Sequence, residues 1–417
     1  MKIKKSPWIS VFFLQTIFAC SQYKQQMDPL KVATPPPVEA ATAVTVTNPA
    51  FTDGQQEATF GMVLLHGLNM DTREMKALTT ALSERYKENI LIINSLVRED
   101  WNSVDYSIDQ QAEMVYKEIV DYLQAHNKDS SSFQLFILGQ SQGGVVATRI
   151  AELYKQKLNL LGFITHNAPL QGVDVLTRGP FDLLKLCNRA KKGLNIIGTK
   201  VDWDLFNLIT LATSARWLCP IADCFGYKKL TGARDIFPNS SCMTAVRHYL
   251  RNNQQSDAVP GLLIGGYQND YNRLFKHDIE QYKIEQYIEA NKDRDTINEE
   301  VNQAIRKLNH DVATFLTGDA DGLHDHVVPL KSQLCRGDSL EDLTHIGTQP
   351  YQIDMPGNQN ITCFVIKDIT HCTTLSPVAE KKINKESMMD PHRMLPVLFE
   401  FIDKKLEQAR VDQSSDC

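Results

Sequence analysis

The sequence lacks the features that define several large functional classes. Its 417 residues carry a formal net charge of -6 and contain no basic stripe and no basic run interleaved with aromatics, so nucleic-acid binding has no support. No paired C-x-x-C and no Cys/His cluster has the spacing of metal ligands, and we predict neither a metal nor a cofactor. No internal repeat is present. With 42% hydrophobic and 23% charged residues, the chain has ample material for a large core.

The N-terminus has an apolar stretch, Trp8–Ala19, that is too short to cross a bilayer comfortably. It follows three lysines and ends in Ala19-Cys20-Ser21, a pattern that resembles a bacterial lipoprotein signal cut before the cysteine. This resemblance implies export of the protein, with residues 1–20 as signal peptide, Cys20 lipidated and the membrane as a partner. The serine after Cys20 points to outer-membrane sorting. An ordinary secretory signal is the alternative, and both export the protein.

The cysteine count fits an oxidising compartment. The chain has nine cysteines, and an even number remains if Cys20 is lipidated. In an exported chain this predicts disulfides, whose connectivity the sequence leaves open. Cys219 and Cys224 are close enough to join the two ends of a loop. The eight remaining cysteines are Cys187, Cys219, Cys224, Cys242, Cys335, Cys363, Cys372 and Cys417.

The order of apolar and amphipathic segments predicts an α/β fold with a mostly parallel sheet covered by helices. Residues 21–57 are rich in Pro, Gln, Ala and Thr and are predicted to be an extended tether to a catalytic domain over 58–410. The alternation stops over about 172–259, which we predict to be an inserted helical cap. Trp203, Phe206 and Trp217 make this cap a candidate lid at a lipid interface, although the same residues would also suit packing on the sheet.

Individual elements follow from the same patterns. Predicted strands lie at Thr59–Gly67, Ile90–Ile93, Phe133–Leu138, Leu160–Thr165, Gly261–Gly265 and Ile361–Ile366, and predicted helices at Thr72–Lys87, Ser107–Ala125, Ile279–Phe315 and Pro391–Gln408.

One segment carries a strong chemical signal. The apolar strand before Gly139 runs into G-Q-S-Q-G and then into a helical pattern. This strand–turn–helix context predicts that Ser141 is a nucleophile exposed on a sharp turn. Gly139 and Gly143 flank the serine where a Cβ would collide with a neighbouring element. The alternative is a structural Gly/Ser turn.

A serine nucleophile needs a base, and the base needs an orienting acid. His371 is the predicted base because it lies in a loop just after the last predicted strand. His345 and His392 are rival histidines in less suitable positions. The order serine, acid, histidine places the acid in an acidic loop before the last strand. Asp325 is the predicted acid because it precedes Val-Val-Pro, with Asp321 as second candidate and Asp319 as third.

The reaction also needs donors for the developing oxyanion. One is the backbone N–H of Gln142, the residue after the nucleophile, and the other is predicted to be that of Leu68 in the loop after the first core strand. Gly67 allows the close turn in that loop, and His66 is predicted to support it through hydrogen bonds rather than to act as a base.

Five motifs taken together carry a family resemblance. They are HG in the first strand's loop, GQSQGG at the elbow, APLQG after the next strand, DHVVP and THCTTL, and they span roughly residues 59–400. In this order they resemble α/β-hydrolases of the lipase/esterase group, and the elbow is also similar to that of palmitoyl-protein thioesterases. The resemblance implies the α/β-hydrolase fold and hydrolysis of a hydrophobic ester or thioester. An acyltransferase and an inactive hydrolase fold that binds a partner are the remaining alternatives.

Overall fold

The computed structural model describes the part of the chain that forms the sheet and its covering helices. The described residues are 58–68, 70–99, 101–174, 231–252, 258–269, 276–289, 292–325, 327–336, 349–355, 357–369, 371 and 391–415. They belong to one compact unit, Gln56–Cys417. The predicted signal peptide, Cys20, the tether and the aromatic residues of the candidate lid lie outside the described residues, so these remain predictions.

The described strands form one seven-stranded sheet in the order β2-β1-β3-β4-β5-β7-β6. All neighbouring pairs are parallel except β6 with β7. The predicted α/β fold class is therefore confirmed, with the strand arrangement expected of an α/β-hydrolase. The strands are β1 (Phe60–Leu65), β2 (Ile90–Asn94), β3 (Gln134–Gln140), β4 (Leu160–His166), β5 (Gly261–Tyr267), β6 (Tyr351–Asp354) and β7 (Ile361–Lys367).

Helices connect successive strands from β1 to β6, and none among the described residues is long and apolar enough to cross a membrane. The longer helices are α1 (Lys76–Tyr86), α2 (Ile108–Ala125), α3 (Gln142–Tyr154), α4 (Ser241–Asn252), α5 (Lys276–Glu289), α6 (Arg294–Thr317) and α7 (Pro391–Ser415). Short helical turns are Thr72–Met75, Lys87–Asn89, Asn102–Asp105, Thr231–Asp235 and Leu330–Gln333.

The sheet separates two hydrophobic clusters, which explains the long apolar strands. In β1, Val63 and Leu65 contact one cluster while Met62 and Leu64 contact the other, because successive side chains of a strand point to opposite faces. Helices α2, α3, α4 and α6 cover the first face. Helices α1 and α7 cover the second. A sheet covered on both faces needs strands that are apolar throughout, as β1 and β5 are.

The observed elements differ from the predicted ones in three places. The charged stretch predicted as one helix over Ile279–Phe315 is two helices, the second of which is capped by the Asp293 side chain at Thr296 N. Strand β6 was not predicted because it is a short, largely exposed edge strand. Helix α4 lies within the predicted insertion at about 172–259, but its apolar side chains pack into the cluster that covers the sheet.

Three described cysteines bear on the predicted disulfides. Cys242, Cys335 and Cys363 are free thiols and buried. Burial raises the pKa of Cys335 to about 11 and that of Cys363 to about 12, and it raises the pKa of Cys242 further still. The expectation of disulfide pairing is wrong for these three residues. Each lies in the hydrophobic core, where a cysteine packs as a small apolar side chain. The other cysteines, including Cys219 and Cys224, lie outside the described residues.

Helix α3 offers a matched test of the core. Ile150 is fully buried between this helix and the sheet, whereas Leu153, three residues later, is 44% exposed. Ile150→Ala should lower the free energy of unfolding by about 2–5 kcal/mol through lost burial and the cavity left behind. Leu153→Ala should change it by less than about 1 kcal/mol. Urea unfolding of both variants checks this, and equal losses would contradict the described packing.

Candidate active site

Ser141 occupies a sharp turn at the centre of the sheet. Strand β3, which lies between β1 and β4, ends at Gln140, and α3 begins at Gln142. Ser141 has φ 51° and ψ -127°, a strained backbone for a residue with a Cβ. Such a conformation costs about 1–3 kcal/mol and persists only where its surroundings enforce it. A hydrogen bond of 2.9 Å from Ser141 N to His166 O on β4 helps to hold the turn.

The two flanking glycines allow this turn because neighbouring backbone takes up the space of a side chain. A Cβ on Gly139 would lie 2.1 Å from the carbonyl oxygen of Gly143. A Cβ on Gly143 would lie 2.3 Å from the carbonyl oxygen of Leu65, at the end of β1. Real Cβ atoms do not approach backbone so closely, so both positions require glycine. The elbow helix is thereby packed directly against the loop that follows β1.

The structure brings the predicted nucleophile, base and acid together. His371 Nδ1 donates to Asp325 Oδ2 at 2.7 Å, and Ser141 Oγ donates to His371 Nε2 at 2.9 Å. All three residues meet at the carboxyl ends of the strands, since Ser141 follows β3 and His371 follows β7. His371 and Asp325 are almost wholly removed from solvent. This is the geometry in which a carboxylate orients an imidazole toward a hydroxyl.

Asp325 is held by donors besides His371. The backbone N–H groups of Val327 and Val328 donate to its Oδ1 at 3.0 and 2.7 Å. The side-chain amide of Asn167 donates to its Oδ2 at 2.7 Å. The sequence patterns did not point to Asn167, which follows β4 immediately before the A-P-L-Q-G segment and has φ 46°. These bonds fix both oxygens of the carboxylate, so its orientation toward His371 does not depend on the histidine alone.

The acidic loop reaches the site through contacts with the end of β5. Gln268 N donates to His324 O at 2.8 Å, and His324 N donates to Asn269 Oδ1 at 3.1 Å. The rival acids stand apart from this arrangement. Asp319 and Asp321 are exposed, and they form a local turn in which Asp321 N donates to Asp319 Oδ1 at 3.2 Å. Of the three candidates, Asp325 is therefore the one in contact with the base.

The loop after β1 lies beside the nucleophile. A Cβ on Gly67 would lie 3.8 Å from Ser141 Oγ, which places the loop's turn next to the hydroxyl. Among the described residues, no hydrogen bond takes up the backbone N–H of Leu68 or of Gln142, the two predicted oxyanion donors. His66 is fully buried and its Nδ1 donates to Gly67 O at 2.9 Å, in keeping with a support role for the loop.

Of the two rival histidines, one is not described and the other lies at the start of a helix. His345 lies outside the described residues, and His392 is placed in the first turn of α7. Within the described ranges, no three potential ligands of the Cys, His, Asp and Glu types lie together as a metal site would require.

Two buried titratable groups lie near His371. Burial lowers the pKa of His166 to about 3, with a smaller contribution from the charge of His371, so His166 stays neutral at ordinary pH. Burial raises the pKa of Glu74 to about 7, and the positive form of His371 opposes that shift. The Oε2 atom of Glu74 is inaccessible to solvent and has no hydrogen-bond partner in the described structure.

The raised pKa of Glu74 predicts a pH-dependent stability. Its pKa rises from 4.5 to about 7 on folding, so the folded state binds the proton more tightly than the unfolded state. Stability is therefore lost as the pH rises from about 4.5 through 7. Glu74→Gln should remove this loss, so that the variant gains stability relative to wild type over this window and the difference levels off above it. Urea titrations at several pH values measure the difference, and one that stays constant with pH would refute the shift.

Comparison with known families finds a partial match. Residues 61–209 match a family model described as palmitoyl protein thioesterase. The matched segment covers a little over a third of the chain, from β1 through the elbow and β4. No curated protein matches the sequence.

Several solved structures resemble the chain at low identity. Phospholipase PlaB from Legionella pneumophila is 11% identical with a TM-score of 0.41, and the match covers 77% of this chain and 56% of the phospholipase. The mature lipase BlEst2 of Bacillus licheniformis is 10% identical with a TM-score of 0.40, over 84% of this chain and 94% of the lipase. MenH from S. aureus is 14% identical with a TM-score of 0.33, over 84% and 96%. Because these identities and TM-scores are low, the assignment of the fold depends on the strand order and the elbow of the chain itself.

Proposed function

We propose that the protein is a serine hydrolase that cleaves carboxylic esters with a hydrophobic acyl or alcohol part. The observation that carries the proposal is the hydrogen-bonded chain from Ser141 Oγ through His371 to Asp325, with distances of 2.9 and 2.7 Å. A serine hydroxyl is a weak nucleophile until a neighbouring base can take its proton, and this chain supplies that base in the required orientation.

The first half of the reaction forms an acyl-enzyme. Ser141 Oγ attacks the ester carbonyl carbon while its proton moves to His371 Nε2. Asp325 accepts the Nδ1–H bond throughout and stabilises the imidazolium that results. The carbonyl oxygen becomes an oxyanion that the backbone N–H groups of Leu68 and Gln142 bind. When the tetrahedral intermediate collapses, His371 gives its proton to the leaving alcohol.

The second half releases the acid. A water molecule gives a proton to His371 and attacks the acyl carbon, and the same two N–H groups bind the new oxyanion. Collapse returns the proton to Ser141 and frees the carboxylic acid. Every step uses groups of this chain and water, so the scheme calls for no cofactor.

A second candidate function is hydrolysis of a thioester, such as an S-acylated protein. The match of residues 61–209 to the palmitoyl protein thioesterase model favours it, and the same match supports a hydrophobic acyl chain for either reaction. The chemistry at Ser141 would be unchanged, since a thiolate leaves at least as readily as an alkoxide. What would differ is the group that the leaving-group side of the site accepts.

Loss of the nucleophile tests the proposal directly. Ser141→Ala should abolish turnover of chromogenic esters and labelling by a fluorophosphonate probe, because it removes the hydroxyl proposed to form the acyl-enzyme. The exposed Ser131, which bonds only to Asp129 in the described structure, offers the control Ser131→Ala with full activity. Turnover that persists in Ser141→Ala would reject the assignment of the nucleophile. Wild-type protein that neither turns over esters nor takes the probe would favour the non-catalytic alternative.

The leaving group separates the two enzymatic candidates. Matched oxygen and thio esters of one acyl chain should differ in kcat/KM, since the site must accommodate either a small alcohol or a larger thiol. We expect the oxygen ester to be preferred, with rates rising as the acyl chain lengthens from two to about eight carbons because of apolar burial of about 0.8 kcal/mol per methylene. A preference for the thioester at every chain length would assign the second function instead.

A further inference from the structure

Arg98 is a buried cation that the scheme above does not use. It lies in the loop after β2 and its side chain is wholly inaccessible to solvent. Its nearest partners are neutral oxygens. Nη1 donates to His66 O at 2.7 Å, Nη2 to Gln142 Oε1 at 3.1 Å, and Nε to Gln111 Oε1 at 2.9 Å.

Two of these bonds lead to the two sides of the oxyanion site. The carbonyl of His66 belongs to the loop that carries the Leu68 N–H, two residues further on. The amide of Gln142 belongs to the residue whose own backbone N–H is the other donor. One planar guanidinium therefore connects both donor segments, which come from the ends of β1 and β3. Arginine suits this task because its donors form a rigid fork.

The partners of Arg98 are themselves fixed. Gln142 Nε2 donates to the carbonyl oxygens of Ser103 and Gly232 at 2.9 and 3.1 Å. Gln111 Nε2 donates to those of Ser103 and Tyr106 at 2.9 and 2.8 Å. Both amides thus have their oxygens turned toward Arg98 and their nitrogens turned away. A network in which every side chain has one orientation can define the position of the backbone that it holds.

The residue after Arg98 holds the other end of the same loop. Glu99 Oε1 accepts hydrogen bonds from Thr72 N at 3.3 Å and from Thr72 Oγ1 at 2.9 Å. Adjacent residues of one loop therefore bind the start of the loop after β1, at His66, and its end, at Thr72. The turn that carries Leu68 is held from both sides.

A purely structural role for Arg98 is a poor explanation of this arrangement. Burying a guanidinium among neutral groups is costly, and apolar residues of similar volume often serve stability equally well or better. Glu118 lies near enough to favour the charge, but among the described residues it forms no ion pair with Arg98, and burial lowers the pKa of Arg98 to about 9. The free-energy cost of burying Arg98 is explained if its guanidinium holds two backbone segments at a fixed separation.

We propose that Arg98 is a positioning residue that sets the distance and direction between the Leu68 and Gln142 N–H donors. The inference rests on the proposed function. Its loss should weaken binding of the tetrahedral intermediate and leave binding of the ground-state ester nearly unchanged. The effect is then in kcat and not in KM.

The test is Arg98→Lys, which keeps a buried cation but replaces the fork with a single ammonium. We expect kcat per active site, counted by fluorophosphonate titration, to fall about 10- to 100-fold, less than the 100- to 1,000-fold typical of removing a donor outright. KM should stay within about twofold. The inhibition constant of an alkylboronic acid that mimics the tetrahedral intermediate should rise by the same factor as kcat falls.

A matched control is Arg149→Lys. Arg149 is also a buried arginine, 7% exposed, but it lies on α3 and pairs with Asp109 and Glu152. This variant should lose stability without a change in kcat per active site. Gln142→Leu keeps the backbone donor and removes one acceptor of the fork, so it should reproduce the loss of kcat and be non-additive with Arg98→Lys. If Arg98→Lys does not fold, the kcat of Gln142→Leu tests the positioning role on its own.

The possible results distinguish failure of the positioning role from failure of the hydrolase function. An unchanged kcat and boronic acid affinity in Arg98→Lys, or in Gln142→Leu where that variant stands alone, overturns the positioning role while the hydrolase function stands. A rise in KM with kcat unchanged overturns it as well, because it indicates ground-state binding. Wild-type protein that neither hydrolyses esters or thioesters nor takes the probe overturns the proposed function and the positioning role together.

Discussion

The contact between the elbow and the end of β1 is the constraint on which the site depends. At Gly143 the backbone of α3 lies so close to the carbonyls of Leu65 and His66 that no side chain fits between them. This contact forces the chain to turn within one residue, and Ser141 takes up the strain. It also puts the N-terminus of α3 next to the loop after β1. The hydroxyl and both proposed donors are consequently neighbours by virtue of one backbone packing.

Parallel strands explain why the remaining groups arrive at the same place. Every parallel strand of the sheet ends on the same edge, so the loops after β1, β3, β4 and β7 deliver His66, Ser141, Asn167 and His371 to one region. Asp325 is the exception, because it is separated from β5 by two helices. Its neighbour His324 brings it back to the site, because the His324 carbonyl accepts from Gln268 N and the His324 N–H donates to the side chain of Asn269, just beyond the end of β5.

The sequence alone predicted the groups of the cluster that lie in local motifs. Ser141, His371 and Asp325 each sit in a short motif, and their chain order restricted the choice. The strands could be predicted because a sheet covered on both faces needs unbroken apolar runs. Other residues depend on contacts distant in sequence. Asn167 bonds a carboxylate 158 positions away, and Arg98 bonds carbonyl and amide groups on separate elements, so neither has a local signal.

The cysteines show the same limit of local sequence patterns, here through a prediction that was wrong. An even count of cysteines predicted pairing, yet a cysteine that fills a core position has the same letter as one that forms a bridge. The choice between them depends on which residues lie nearby in space. The packing of helix α4 against the sheet was not predicted for a related reason, since its apolar stripe lies in a region predicted to be an inserted helical cap.

The three buried thiols give the fold internal reporters. Cys242 lies on α4, Cys335 follows the short helix after the acidic loop, and Cys363 lies in the middle of β7. Their raised pKa values keep them as unreactive thiols while the surrounding structure is closed. Each becomes open to alkylation only when the packing around its own element opens. The order in which a thiol reagent reaches them would therefore record the order in which the parts of this fold open.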